Sequence, residues 1–356
     1  MKESGRGYKR IVVKIGSSLL CSSAGKLDFS VLNAVAAQVV RLAKEDKDVV
    51  VVSSGAIALG MHVLGLQERP RQLCYLQAAA AIGQNELMNM YRKFFRDAGY
   101  PGAQILLTWE DFDDRRRYLN AKNTLLTLLE LGSIPIINEN DTVSTDEIKF
   151  GDNDRLSALV SSLISADLLI ILSDVDGLLD KDKRSVIRVV DEITSQIRDL
   201  AHPTHKKTCV GGMVTKIEAA RIVVDSGIPC IIANGRRKDI ILSAIREPER
   251  CGTLFLPKKG YLAARKRWIA FGTKPKGKIM VDEGARDALL HKKSLLSVGV
   301  IAIDGIFECG DIVSVIDRQN CEFARGKVGL SDKQLEKVKG SRSDKEVIHC
   351  NNIVIL

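Results

Sequence analysis

The residues able to do chemistry in this 356-residue chain gather around Ile136–Ala158, which reads IINENDTVSTDEIKFGDNDRLSA. An apolar strand runs into Asn138-Glu139-Asn140-Asp141. A polar connection then delivers Gly151-Asp152-Asn153-Asp154 at the start of a helix expected over Arg155–Ser165. Carboxylates and amides gathered at a strand's carboxyl end and a helix's amino end are where an α/β protein builds a small-molecule site.

Two other segments supply positive charge. Lys14 closes the apolar strand Arg10–Ile15 and is followed by Gly16-Ser17-Ser18. A lysine within an apolar strand is costly unless a partner meets its charge at the strand tip. The glycine lets backbone amides approach an anion. The plain alternative is a snorkelling lysine beside an ordinary turn. The second segment, Gly211-Gly212-Met213-Val214-Thr215-Lys216, precedes a helix, whose amino end favours phosphate. Ser53-Ser54-Gly55-Ala56 and Ser173-Asp174-Val175-Asp176-Gly177 close two further apolar strands. Either is equally readable as a tight turn. Taken together, two lysines, several amide-rich turns and an acid cluster fall at expected carboxyl ends of parallel strands. That is the equipment of phosphoryl transfer to a small anionic substrate, a reaction that asks mainly for positioning and charge compensation. The chain lacks the Walker A pattern GxxxxGK[ST], the HRD and DFG elements of protein kinases, and a dinucleotide GxGxxG after either early strand.

The elements that must position these groups alternate. Strands are expected at Arg10–Ile15, Val49–Ser53, Gln104–Leu107, Ile134–Asn138, Leu168–Ser173 and Pro229–Ala233. Helices are expected between them, at Phe29–Lys44, Ala56–Leu64, Cys74–Ala98, Tyr118–Leu131 and Thr215–Ser226. Continuous apolar strands between helices predict a doubly wound, mainly parallel α/β sheet sandwiched by helices. The pattern changes near Pro257. Lys258–Lys278 holds eight Lys or Arg and no acid, and short β-rich runs follow. The expected organisation is a first domain over 1–257, a basic linker over 258–276 and a small barrel-like domain over 277–356.

Composition sets the bounds. With 45% hydrophobic and 27% charged residues, the chain has a globular profile. No apolar run approaches the roughly 20 residues of a membrane span, and the MKESGRGYKR terminus lacks a signal peptide's apolar core. The eight cysteines show no paired spacing, which suits reduced thiols in the cytoplasm. His202 and His205 sit beside Pro203 and Lys206-Lys207, as in an exposed loop. No protein metal site is expected. The net charge of +9 suits anionic partners, nucleotide or RNA.

VVKIGSS, VVSSGAIALG, INENDTVSTDEIKFGDNDRLSA, LSDVDGL and GGMVTK, in this order, resemble the glutamate 5-kinase branch of the amino acid kinase family. The tail, with IMVDEGA and EVIHCNNIVIL, is similar to a PUA domain. The resemblance implies ATP-dependent phosphorylation of the γ-carboxylate of L-glutamate, the first step of proline synthesis. It implies that Lys14 and Lys216 neutralise the transferring phosphoryl group and that Asp154 orients them. Ser54, Gly55, Asp141 and Asn153 would bind glutamate, with Asp152 and Lys149 nearby. Lys14, Gly16, Ser17, Ser173, Asp174 and the run Val210, Gly211, Gly212, Met213, Val214, Thr215, Lys216 would hold ATP, with Mg2+ on its phosphates. It also implies proline as a feedback inhibitor and self-association through the kinase domain. Two positions depart from the family pattern: Cys209-Val210 stands where Gly-Thr is usual, and Ser173 replaces a threonine. A sibling kinase acting on aspartate or acetylglutamate, or an RNA-binding PUA protein with a kinase-like scaffold, are the competing readings.

Overall fold

The computed structural model describes residues 7–20, 28–143, 153–182, 184–201, 212–258, 264–341 and 346–356. The chain forms two compact units, one of Met1–Asp111 with Arg115–Tyr261, the other of Phe112–Asp114 with Leu262–Leu356.

In the first unit the elements run β1 (Arg10–Ile15), α1 (Ser30–Lys44), β2 (Asp48–Ser53), α2 (Ala56–Val63), α3 (Leu73–Asp97) and β3 (Gly102–Leu107). After α4 (Trp109–Asp113), which straddles the division, come α5 (Arg115–Glu130), β4 (Ile134–Glu139), α6 (Asn153–Ile164) and β5 (Leu168–Ser173). The remainder is β6 (Val189–Val190), α7 (Ser195–Asp199), α8 (Met213–Asp225), β7 (Cys230–Asn234), α9 (Ile240–Arg246) and β8 (Gly252–Phe255). The strands make one eight-stranded sheet in the order β3-β4-β2-β1-β5-β7-β8-β6. Every neighbouring pair is parallel except β7 with β8. The expected strands and helices are all present, with ends shifted by at most three residues. β6, α7, α9 and β8 are additions, each seven residues or fewer and too short for a periodic signal.

Strand alternation decides which face carries the chemistry. Ile11, Val13 and Ile15 of β1 pack into one core with Val35 and Val39 of α1 and Leu87, Tyr91 and Phe95 of α3. Val12 and Lys14 therefore project to the opposite face, where α6 lies against β1, β2 and β5. The strand order reverses at β1: the chain first builds outward through β2, then returns to lay β5 on β1's other edge. Ligands in such sheets bind beyond the strand ends at this reversal.

Helices α2 and α3 touch backbone to backbone. A Cβ on Gly60 would stand 1.7 Å from the Ala79 carbonyl oxygen, and one on Gly83 would stand 1.8 Å from that of Ala56. Only glycine permits this depth.

The second unit opens with α10 (Ala264–Arg267) and a wider helical turn over Trp268–Gly272. Ile269 and Ala270 of that turn pack with Ile312 and Val354. The stretch expected as a plain basic linker thus folds, over 264–272, as part of this unit, because its apolar residues find a core that its lysines obscure in the sequence. Then follow β9 (Gly277–Val281), α11 (Glu283–Leu290), β10 (Leu295–Leu296), β11 (Val300–Gly305), β12 (Ile312–Ile316), β13 (Glu322–Lys327), α12 (Asp332–Val338), β14 (Glu346–Ile348) and β15 (Ile353–Ile355). They form a five-stranded sheet, β11-β9-β12-β13-β15, and a β10-β14 pair, around Ile279, Val313, Val315, Ala324 and Val347.

Because the Gly83 site is filled by the Ala56 carbonyl, Gly83→Ala is expected to destabilise the first unit by about 1–3 kcal/mol through overpacking. Chemical denaturation followed by α-helical circular dichroism checks this. An unchanged midpoint would contradict the close helix contact.

Candidate active site

Lys14, at the inner end of β1, and Lys216, in the first turn of α8, are both buried, each 5% exposed. Asp154, in the first turn of α6, is 1% exposed and lies between them. Its Oδ1 is 2.5 Å from Lys14 Nζ and its Oδ2 is 3.1 Å from Lys216 Nζ. The Thr215 hydroxyl lies 2.9 Å from the same Oδ2 and 2.9 Å from the Gly212 carbonyl oxygen. The Ser157 hydroxyl donates to the Asp154 carbonyl at 2.6 Å, within the first turns of α6.

Burial alone would raise the Asp154 carboxyl. The Lys14 and Lys216 charges, with hydrogen bonds from Lys14 and Thr215, overcome that and hold it at about 2. Asp154 also suits a helix amino end, where the dipole favours an anion. Lys216 does not, since a cation in the first turn opposes the dipole. Its placement is offset by Asp154. Two ammonium groups on one carboxylate leave the cluster with an excess positive charge, flanked by the amino ends of two helices. An ammonium about 4 Å from a phosphate oxygen is worth roughly 4 kcal/mol at an effective dielectric near 20. Such a cluster attracts an anion, phosphate included.

Around it the strand tips form two groups. Toward β5, the Gly16 N–H donates to the Leu172 carbonyl at 3.0 Å, and a Cβ on Gly16 would stand 3.6 Å from Lys14 Nζ. Ser17 and Ser18 follow in a short helical turn, and the Ser18 hydroxyl donates to Asp174 Oδ1 at 3.1 Å. Ser173 donates to the same oxygen at 3.2 Å. This brings together Gly16, Ser17, Ser173 and Asp174, the members expected on the nucleotide. Gly212, Met213 and Val214, further along the chain, open α8, with Val214 exposed.

Toward β2 and β4, Asn153 Nδ2 reaches the Ser54 hydroxyl at 2.9 Å, the Ser53 carbonyl at 3.3 Å and Asn138 Oδ1 at 2.8 Å. Ser54 does not cap α2; Gly55 takes that place, with φ of 110°. A Cβ there would stand 2.0 Å from Leu20 Cδ1, so glycine is required on both counts. Asp141 opens the turn after β4. Removal from water pushes its carboxyl up to about 6, against an opposing pull from Arg69. A carboxylate so placed favours a cation. Of the expected site residues, Asp152, Lys149, Val210 and Gly211 lie outside the described residues, as do His202 and His205.

Sequence reasoning missed three contributors. Asn138 was within the quoted motif but unassigned. Gln84, on α3, accepts from Asn138 Nδ2 at 2.8 Å. Tyr91, also on α3, donates from its hydroxyl to Ser53 Oγ at 2.9 Å. Both lie on a helix distant in sequence from every strand tip, so only their seven-residue spacing, two helical turns on one face, could have hinted at it.

An anion site of two lysines on one aspartate, at the reversal point of a parallel sheet, defines a phosphotransferase of α/β build. Residues 9–234 match the model of the amino acid kinase family, and residues 277–350 match that of the PUA domain. A glutamate 5-kinase of Thermoanaerobacter sp. strain X514 is 47% identical across 98% of each chain. One from Caldanaerobacter subterraneus is likewise 47% identical over 98% of both, and one from Citrifermentans bemidjiense 46% identical over the full length of both. The chain belongs to the amino acid kinase family, with a PUA domain following the kinase unit.

The charge count in the cluster makes an asymmetric prediction. Lys14→Met leaves a balanced Asp154–Lys216 pair and should change stability by no more than about 1 kcal/mol. Asp154→Asn leaves two buried ammonium groups without a counter-charge and should cost about 3–5 kcal/mol. Thermal melts at neutral pH measure both. Equal losses would contradict the charge balance.

Proposed function

We propose that this chain transfers the terminal phosphoryl group of ATP to the γ-carboxylate of L-glutamate, giving L-glutamyl 5-phosphate, the first step of proline biosynthesis. The observation that carries the reading is the pair of buried ammonium groups, Lys14 and Lys216, on the one carboxylate of Asp154. The names of the relatives at 46–47% identity support it.

Two anions must meet in this reaction. The acceptor carboxylate approaches a triphosphate, and the spare positive charge of the cluster offsets their repulsion. Lys14 and Lys216 draw charge from the oxygens of the group in transit and of the departing diphosphate. Asp154 is no proton acceptor. The attacking carboxylate is already ionised at neutral pH, and an acid held at about 2 is too weak a base to help. Its work is to fix both ammonium groups at one spacing. Gly16, Ser17, Ser173, Asp174 and the start of α8 hold the nucleotide. Among the described residues no three acidic, His or Cys side chains converge on a metal site. Mg2+ would arrive on the triphosphate, whose charge it would neutralise.

Ser54, Gly55, Asn153 and Asp141 take the amino acid. Asp141 favours a free ammonium group, which glutamate has and N-acetylglutamate lacks. Proline shares that ammonium and the α-carboxylate, so it competes at the same residues. Exposed Val63, Leu64, Leu66 and Tyr75 at the α2–α3 corner support self-association through the kinase unit. No helix of the described residues is long and apolar enough to cross a membrane, in keeping with a cytoplasmic enzyme.

A substrate panel read by ADP release tests the assignment. Mg2+-dependent turnover is expected with L-glutamate and not with aspartate or N-acetylglutamate. Equal turnover with either would move the chain to a sibling activity.

Asp141 supplies a pH test with a definite sign. It must be ionised to bind the ammonium. With its carboxyl at about 6 in the free protein, the KM for glutamate should rise about tenfold per unit as pH falls below that value. Being raised in the folded state, the ionised form costs stability above that pH. Asp141→Asn should therefore weaken glutamate binding and yet stabilise the fold by about 1–3 kcal/mol at pH 7.5. A flat KM between pH 5 and 7 (about one unit either side of 6) would refute the assignment.

A further inference from the structure

The amide contacts behind the substrate group run in one direction, and a single backbone carbonyl fixes it. Ser53 O can only accept, so Asn153 must turn its nitrogen toward β2, 3.3 Å away. That nitrogen also faces Asn138, which must present its oxygen, 2.8 Å away. The same Asn138 oxygen accepts the Glu139 N–H at 2.9 Å, which confirms its orientation independently. Asn138 is then obliged to point its own nitrogen outward, and Gln84 Oε1 receives it at 2.8 Å. The chain of amides thus starts at Ser53, passes through Asn153 and Asn138, and ends on α3.

Its product is the orientation of Asn153 Oδ1. With the amide nitrogen committed to β2 and β4, this oxygen is buried without a hydrogen-bond partner among the described residues. A buried acceptor left empty costs about 1–3 kcal/mol. It sits on the residue next to Asp154, within the group that also holds Ser54. An acceptor oxygen there suits a substrate N–H donor.

Helix α3 anchors the far end twice on one face. Gln84 reaches the tip of β4, and Tyr91, two turns on, reaches Ser53 Oγ of β2. Gly83, beside Gln84, sets the depth of α3 against α2, so the amide of Gln84 arrives at a fixed height.

We infer that Gln84 is a positioning residue for amino-acid recognition, acting through Asn138 to hold Asn153 with its carbonyl oxygen toward the substrate's ammonium group. The inference rests on the glutamate reading above. Without Gln84 the Asn138 nitrogen loses its acceptor, Asn138 is free to turn over, and Asn153 loses its fixed orientation. The nucleotide group, built on β1, β5 and α8, has no member in this chain of amides.

The test is steady-state kinetics on the full-length enzyme, with a double-variant cycle. Gln84→Leu is expected to raise the KM for glutamate about tenfold, the worth of one buried hydrogen bond. The KM for ATP should stay within about twofold, because no contact leads there. Gln84→Glu keeps an oxygen toward Asn138 and should retain a glutamate KM within about threefold of the parent. The double variant Gln84→Leu/Asn138→Leu should be no worse for glutamate than Asn138→Leu alone, since both break one chain. Additive losses in the cycle, or a parallel rise in both KM values with a fall in melting temperature, would overturn the assignment in favour of a purely structural glutamine. Parent enzyme with no glutamate-dependent ADP release would sink the functional reading instead, and the two failures are distinct.

Discussion

One buried carboxylate organises the kinase unit. Asp154 draws together a strand end and two helix starts that are remote in sequence, because neither Lys14 nor Lys216 is tolerable in its place without an anion within contact distance. Three charges in a site from which water is excluded are an unlikely route to stability, since hydrophobic replacements of similar volume serve a fold as well or better. What such a triad supplies is a fixed geometry and an unbalanced charge. The imbalance is what the fold preserves: the cluster carries one positive charge more than neutrality, which a bound anion would balance.

The rest of the first unit serves that cluster by parity and by order. Strand alternation sends Lys14 to the α6 face while its neighbours Val13 and Ile15 build the core against α1 and α3. A one-residue slip of β1 would exchange the two sets and bury the ammonium among aliphatic side chains. The parallel pairing of β1 with both β2 and β5 brings three strand tips to one rim. The polar groups of that rim then fall into two sets, one toward β5 and α8, the other toward β2 and β4, with the lysines at the boundary between them.

Much of this was legible in the amino-acid sequence, for physical reasons. Lys14 stands out because it interrupts an apolar strand, and Asp154 because it opens a helix just past an acid-rich turn. The chain's alternation of long apolar strands with amphipathic helices announces the parallel sheet. Gln84 was not legible. A glutamine in the middle of a 25-residue helix has the composition of a solvent-facing position, and its partner Asn138 lies 54 residues away. Nor was the helical turn at Trp268–Gly272, where flanking lysines hid two core residues, or β8, whose antiparallel return from β7 carries no periodic signature in four residues. Long-range pairings of this kind are tertiary facts that local propensity does not encode.

Two carboxylates of the site show how one sheet edge assigns separate tasks to one chemical group. Asp154 is buried and Asp141 half-buried, and loss of water by itself raises an acid. Asp154 meets two lysines and falls to about 2; Asp141, opposed among the described residues by the pull of Arg69, still rises to about 6. The first has its counter-charges built in, so its role is permanent and architectural. The second has no such pair among the described residues, so its ionised form carries a cost that a nearby cation would relieve. Environments that drive like groups apart in this way mark the division of labour in a site. Here the division falls between a carboxylate that holds two lysines together and one whose charge, in the function proposed above, meets the substrate.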